Sequence, residues 1–251
     1  MNFLAHLRLG PDDPQQALGG LLGDFVKGPM TSIALPDPVR QGIWLHRSID
    51  AFTDRHALVA RSKARVTGER RRYAGIMVDM FYDHLLARHW EQFDDQPLAD
   101  FTARMYRAVL TQQGLMPDQA RSVLVRMAEE DWLGSYAELQ NLHLALNNMA
   151  RRLRPGNPLP GAVDELEWDY QGFEADFLAF MPEVIDFAES QAAALRDSAE
   201  WQGILSPGSR ALTTASRVRC ANGLRSRSRV AMAGKKCSST SITEEPSRFH
   251  R

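Results

Sequence analysis

The sequence predicts an all-α protein, and three observations carry that prediction. From about Pro14 to Leu195, apolar residues recur at spacings of three and four, the period of a helix that buries one face. No stretch of useful length alternates apolar and polar residues as a half-buried strand does. Gly28-Pro29, Gln113-Gly114 and Pro155-Gly156-Asn157-Pro158 punctuate the pattern where helices should stop.

Taken in order, Leu18, Leu21, Leu22, Phe25 and Val26 predict a first helix opened near Pro14 and closed by Gly28-Pro29. A long segment from about Pro38 carries Val39, Ile43, Ile49, Phe52 and Leu58 and is expected to run to about Val66. The next, from about Arg71 to Phe93, presents Ile76, Met80, Leu85, Leu86 and Trp90, and Asp95-Gln96-Pro97 ends it. Leu98 to Leu110 is a further helix, and Pro117-Asp118 opens another, with proline near the first turn where its missing N–H is harmless. Trp132 to Arg154 reads as one short and one longer helix. The last stretch, Val163 to about Leu195, contains Pro182, expected to break or kink it. No repeat of 20–50 residues is present.

Residues 1–198 are thus expected to form a single multi-helix domain and residues 199–251 a basic, low-complexity tail. Ser, Arg, Thr, Gly and Ala dominate that tail, and such a composition cannot offset the entropy of ordering, so disorder is expected. The chain's net charge of −1 conceals an asymmetry. From Arg196 onward there are 11 Lys and Arg against 4 Asp and Glu, a net of +7, which leaves −8 on residues 1–195. Apolar residues at 44% and charged residues at 24% are ordinary for a globular protein. No apolar run is long enough to span a bilayer, so no membrane partner is expected. Met1 to His6 has neither the basic start nor the apolar run of a signal peptide, and a cytoplasmic location is expected. The two cysteines, Cys220 and Cys237, both lie in the tail, which excludes a disulfide framework and a thiolate zinc site in the body.

The chemistry concentrates in the first 84 residues. His46, Asp50 and Asp54 follow one another at a spacing of four, within an arc of about 80° on one helix face. Asp79 and Asp83 repeat that spacing one helix later, with His84 about 100° round from Asp83. His6 and Asp24 lie in two further apolar segments. Taken singly, each is more simply a hydrogen-bonded core histidine or a solvated carboxylate, Asp50 or Asp54 pairing with a nearby arginine. Clustering favours a shared purpose, because carboxylates on apolar faces need compensation and a divalent cation supplies it. Mixed imidazole and carboxylate ligands suit Mn²⁺, Mg²⁺, Fe or Zn²⁺. A cation with open positions polarises phosphoryl oxygens, so phosphoester hydrolysis is the natural chemistry. A di-iron carboxylate bundle is disfavoured, since no Glu precedes a His by three. Phosphate loops of Walker or Rossmann spacing and the Gly-x-Ser-x-Gly elbow are likewise missing.

Arg61, Lys63, Arg65, Arg70, Arg71 and Arg72 form a cationic stretch between the two acidic segments. In an acidic body such a stretch can steer an anionic substrate. Arg151-Arg152-Leu153-Arg154 offers the same from elsewhere. Neither cluster interleaves aromatic residues as a single-strand nucleic-acid binder does, and no nucleic-acid partner is expected.

Four motifs in register now point to a family: Met1-Asn2-Phe3-Leu4-Ala5-His6-Leu7, Gly20 to Gly28 (Gly-Leu-Leu-Gly-Asp-Phe-Val-Lys-Gly), Gly42 to Asp50 with Thr53-Asp54, and Asp79 with Asp83-His84, Leu86 and His89-Trp90. From residue 1 to about 195 the chain resembles the acyl carrier protein phosphodiesterases, also called acyl carrier protein hydrolases. The resemblance implies an all-helical fold distantly related to the HD-domain metal phosphohydrolases. It also implies Mn²⁺-dependent hydrolysis, with Mg²⁺ second, of the phosphodiester linking 4′-phosphopantetheine to a serine of holo-acyl carrier protein. That partner is small and acidic, which would give the Arg61–Arg72 stretch a docking purpose. Asp24, His46, Asp50 and Asp83 would form the metal shell, with Asp79 and His84 as alternates or supporting partners, and His6 as a ligand or as proton donor to the departing serine oxygen. Ordinary HD domains place His before Asp, whereas here the order is Asp83-His84. Two other readings fit the residues: an HD-like hydrolase of small phosphoesters or nucleotides, and a non-enzymatic module that docks carrier protein.

Overall fold

The most buried helix is the one that holds Asp79 and Asp83. Eleven of the fifteen residues of Ala74–Arg88 are buried, which explains its nearly unbroken apolar sequence. The structure, a computed structural model, describes residues 1–205. Within them the chain is all-α as expected, with no strand among the described residues. In chain order the helices are α1 (Phe3–Leu9), α2 (Pro14–Leu22), α3 (Asp37–Arg55), α4 (Ala57–Arg65), α5 (Ala74–Arg88), α6 (Leu98–Leu110), α7 (Asp118–Glu129), α8 (Trp132–Ser135), α9 (Leu139–Ala150), α10 (Val163–Trp168), α11 (Tyr170–Leu195) and α12 (Ser198–Leu205). Helix α5 packs against α1, α4, α9 and α11, while α3 lies between α2 and α11.

Most boundaries follow from local chemistry. Asp13 caps α2 by accepting hydrogen bonds from the amides of Gln15 and Gln16, and Pro14 occupies the first turn. Pro97 and Pro117 stand immediately before α6 and α7; both limits of α6 and the start of α7 match the expected ones.

Several boundaries differ from expectation, beginning with α2, which stops at Leu22 rather than at Gly28-Pro29. Helix α1 precedes Pro14, where periodicity alone predicts nothing. The expected helix from Pro38 to Val66 is two helices, because His56 is extended (φ −76°, ψ 134°) and its ring accepts a hydrogen bond from the amide of Leu58, capping α4. Pro182 does not end its helix: α11 runs through it, with Phe180, Met181 and Val184 fully buried on either side, so packing outweighs the lost hydrogen bond. The break in that region falls at Asp169 instead. The body also passes residue 198, since α12 follows and Trp201 is buried with the Arg40 guanidinium 5.7 Å above its ring. The disorder expected farther along the tail falls, from residue 206, outside the described residues.

Helices α2 and α3 meet backbone to backbone. A Cβ added at Gly19 would lie 2.1 Å from the carbonyl oxygen of Val39, and one at Gly42 would lie 2.1 Å from that of Gln16. Gly42→Ala therefore sets about 1 kcal/mol of gained helix propensity against overpacking worth about 1–3 kcal/mol. Net destabilisation in urea unfolding is the expected result, and a neutral or stabilised variant would contradict the close approach.

Candidate metal centre

Three side chains from two helices converge on one point. His6 comes from α1, and His46 and Asp50 come from successive turns of α3; their ligand atoms lie within 4.8 Å of one another. Asp50 sits in the middle. Its Oδ1 is 3.1 Å from His6 Nε2 and its Oδ2 is 3.1 Å from His46 Nε2. The two imidazoles stack with centroids 3.8 Å apart. Asp24, in the turn after α2, places Oδ1 3.7 Å from His46 Nε2. The α-ammonium of Met1 lies 2.9 Å from Asp79 Oδ1 and 3.5 Å from Asp50 Oδ1.

The end of α2 orients His46. A helix leaves its last four carbonyls without partners, and one of these, Gly20, accepts a hydrogen bond of 2.7 Å from His46 Nδ1. A carbonyl can only accept, so the proton is on Nδ1 and Nε2 faces the carboxylates. Gly23 allows this seat, because a Cβ there would lie 2.2 Å from the His46 ring.

Like residues are driven apart in protonation. Burial, followed by the adjacent His46, lowers the pKa of His6 to about 4. Burial also works against a charged His46, but the adjacent carboxylates of Asp24 and Asp50 outweigh it and raise the pKa to about 9. Asp50 is held far below the ordinary carboxylate range: burial opposes this, and the two adjacent imidazoles, His46 before His6, prevail. Asp24 is lowered against burial by the neighbouring His46 imidazole. For the Met1 ammonium, Asp79 and Asp50 more than offset the cost of burial, and its pKa rises.

His6 is buried, and neither ring nitrogen makes an aligned hydrogen bond; the approach to Asp50 is short but out of line. Orphaned buried nitrogens carry a desolvation cost that a ligated cation would remove. Two imidazoles and a carboxylate also form the mixed nitrogen and oxygen set that divalent ions accept. The residues present therefore fit a metal ion.

Of the residues singled out from sequence, His6, Asp24, His46, Asp50 and Asp79 are brought together. Two expectations are corrected. Asp83 does not face the cluster as a ligand: it is fully buried, and its two oxygens accept the amides of Leu4 (2.9 Å) and Ala5 (3.2 Å) at the start of α1. Burial pushes its pKa up to about 7 although both amides pull the other way. His84, a quarter-turn round α5, is turned toward the carbonyl of Tyr136 (2.7 Å) and the hydroxyl of Tyr170 (3.1 Å), and burial lowers its pKa. Asp54 pairs with Lys63, 2.8 Å away, rather than with Arg47 or Arg55.

The cationic stretch is corrected as well. Arg61 and Arg65 both pair with the buried carboxylate of Asp176, and Arg65 also reaches Asp169. Arg70 donates to the carbonyls of Pro158 and Pro160 and pairs with Glu165. Arg61 stays exposed in spite of its pairing, as do Arg71 and Arg72, the latter over the Tyr73 ring. A buried carboxylate demands compensation, so most of these charges serve the fold.

The sequence reading missed the Met1 ammonium, the Gly20 carbonyl and Asp176. No local signal marked the last of these, because Arg61 and Arg65 lie more than a hundred residues away in sequence.

A family profile described as acyl carrier protein phosphodiesterase matches residues 1–184. Curated proteins of that name from Yersinia enterocolitica (serotype O:8 / biotype 1B) and Pectobacterium atrosepticum are 34% identical over 192 and 193 residues, each covering 76% of this chain and 99% of the relative. One from Yersinia pestis is 35% identical over 190 residues, 75% of this chain and 98% of its own length. No solved structure matches the chain.

Replacing Asp83 by Ala strands two buried amides and is expected to cost about 1–3 kcal/mol, read by chemical denaturation. The Asn variant isolates the titration. A carboxyl whose pKa is raised on folding contributes stability that is complete below its unfolded value of 3.8 and fades as pH climbs through about 7. Wild type should thus lose stability relative to Asp83→Asn over that interval, measured with chelator present. Parallel profiles would show that Asp83 is not buried in this way.

Proposed function

The chain belongs to the acyl carrier protein phosphodiesterase family, and on that premise we propose that it hydrolyses the phosphodiester joining 4′-phosphopantetheine to a serine of holo-acyl carrier protein, leaving apo-carrier protein. The observation that carries the proposal is the convergence of His6, His46 and Asp50. His6 Nε2, His46 Nε2 and Asp50 are the groups that would hold a divalent cation, Mn²⁺ in first place and Mg²⁺ in second. Such an ion, when bound, supplies positive charge to phosphoryl oxygens and acidity to water.

The protein's own groups prepare the rest. Neutral His6 offers a lone pair without first losing a proton, and its low pKa favours a ligand over an acid that protonates serine. His46 must surrender its Nε2 proton before it can ligate, whereas Nδ1 stays committed to Gly20. Asp24, ionised and half exposed beside His46, would complete the shell of such an ion as a further carboxylate. A module that only docked carrier protein would have no use for this arrangement.

Incubation of holo-carrier protein with the full chain and Mn²⁺ should reduce the carrier's mass by its phosphopantetheinyl arm, and chelator should prevent it. His46→Ala and Asp50→Ala should each lower turnover more than about a hundredfold with helical circular dichroism retained. Full turnover in either variant would remove that residue from the site. Calorimetry near neutral pH, in buffers of different ionisation enthalpy, should find about one proton released per Mn²⁺ bound; no release would mean that His46 is not a ligand.

A further inference from the structure

A groove of about 590 Å³ opens beside the metal centre. Asp24 belongs to both, lining the groove and lying 3.7 Å from His46 Nε2. Phe3 and Phe25, stacked with centroids 6.4 Å apart, flank it there. The facing wall comes from α7, α8 and α9. The volume lies within the roughly 300–1,000 Å³ of small-molecule sites. Two other cavities, of about 290 and 310 Å³, border Arg196 and touch no residue of the centre.

The lining is mixed along its length. Asn2, Asn141 and Asn148 place amides among Met80, Leu144 and Met149. Leu144 is 50% exposed, one of two large apolar side chains left so open among the described residues. Exposed apolar surface beside amide donors and acceptors suits an extended ligand of alternating methylene and amide groups. On the rim, Arg126 is tied to Glu130 at 2.8 Å. Arg151 and Arg152 are exposed, and no carboxylate pairs with either among the described residues. They remain available, unlike Arg61, Arg65 and Arg70.

Resting on the activity proposed above, we infer that this groove receives the 4′-phosphopantetheine arm from the scissile phosphate onward, and that Arg151 and Arg152 meet the acidic carrier protein bearing it. The arm carries a gem-dimethyl carbon and a hydroxyl next to the phosphate, then two amides set between methylenes and a terminal thiol, and its phosphate end must reach the metal centre. This is the described cavity that starts there.

The test measures binding to the full chain with three probes: 4′-phosphopantetheine, inorganic phosphate and apo-carrier protein. Leu144→Trp, at a half-exposed position, should fill the groove and weaken 4′-phosphopantetheine about tenfold while leaving inorganic phosphate unchanged. Leu144→Ser removes the contact without bulk and should weaken the same probe in the same direction. The Arg151→Glu/Arg152→Glu double variant should weaken apo-carrier protein about tenfold, a loss that shrinks with added salt. Undiminished 4′-phosphopantetheine binding in both Leu144 variants, or none in wild type, overturns the groove assignment. Unchanged apo-carrier affinity in the double variant overturns the rim. Failure of wild type to cleave holo-carrier protein counts against the proposed activity instead, and the groove is still judged by 4′-phosphopantetheine binding.

Discussion

Two backbone amides of α1 end on the buried carboxylate of Asp83, and the geometry of the candidate metal centre rests on that pair of hydrogen bonds. A seven-residue helix has little stability of its own, and Asn2, at its N-cap position, makes no side-chain cap. The cap is supplied from α5 across the core. By pinning the first turn of α1, Asp83 brings His6 over Asp50 and the Met1 ammonium between Asp50 and Asp79. The acid buried deepest thus acts on the site through backbone, and the acids nearer the surface face the space where an ion fits.

The second constraint is the contact of α2 with α3. Only glycine at positions 19 and 42 permits the helices to approach so closely, and Gly23 leaves room for the His46 ring. The approach puts the free carbonyl of Gly20 against His46 Nδ1 and the turn bearing Asp24 against Nε2. One imidazole is therefore charged and oriented by its neighbours while the stacked one is kept neutral. Opposite protonation of adjacent like groups is a recurrent mark of sites built for proton transfer or metal binding. On the far side, Asp176 plays a structural part, drawing Arg61 and Arg65 onto α11. That internal demand for cations separates the arginines that hold the body together from those left to meet a partner.

The sequence by itself determined the helical class, most helix limits, the family, and the pairing of His46 with Asp50, since residues four apart on a helix share a face whatever surrounds them. It also placed Asp24 and His6 among the candidates, from polar groups set in apolar runs. Only the tertiary structure decided which carboxylate faces an ion and which faces an amide. Asp79 and Asp83 have the same local pattern, yet one meets an ammonium and the other two N–H groups, because Met1 lies opposite the first and the opening turn of α1 opposite the second. The fate of Arg61, Arg65 and Arg70 was hidden for the same reason, their partners being about a hundred residues away in sequence. Periodicity is a property of neighbouring residues. The partner of a buried charge is a property of whatever element packs over it, which no local pattern records.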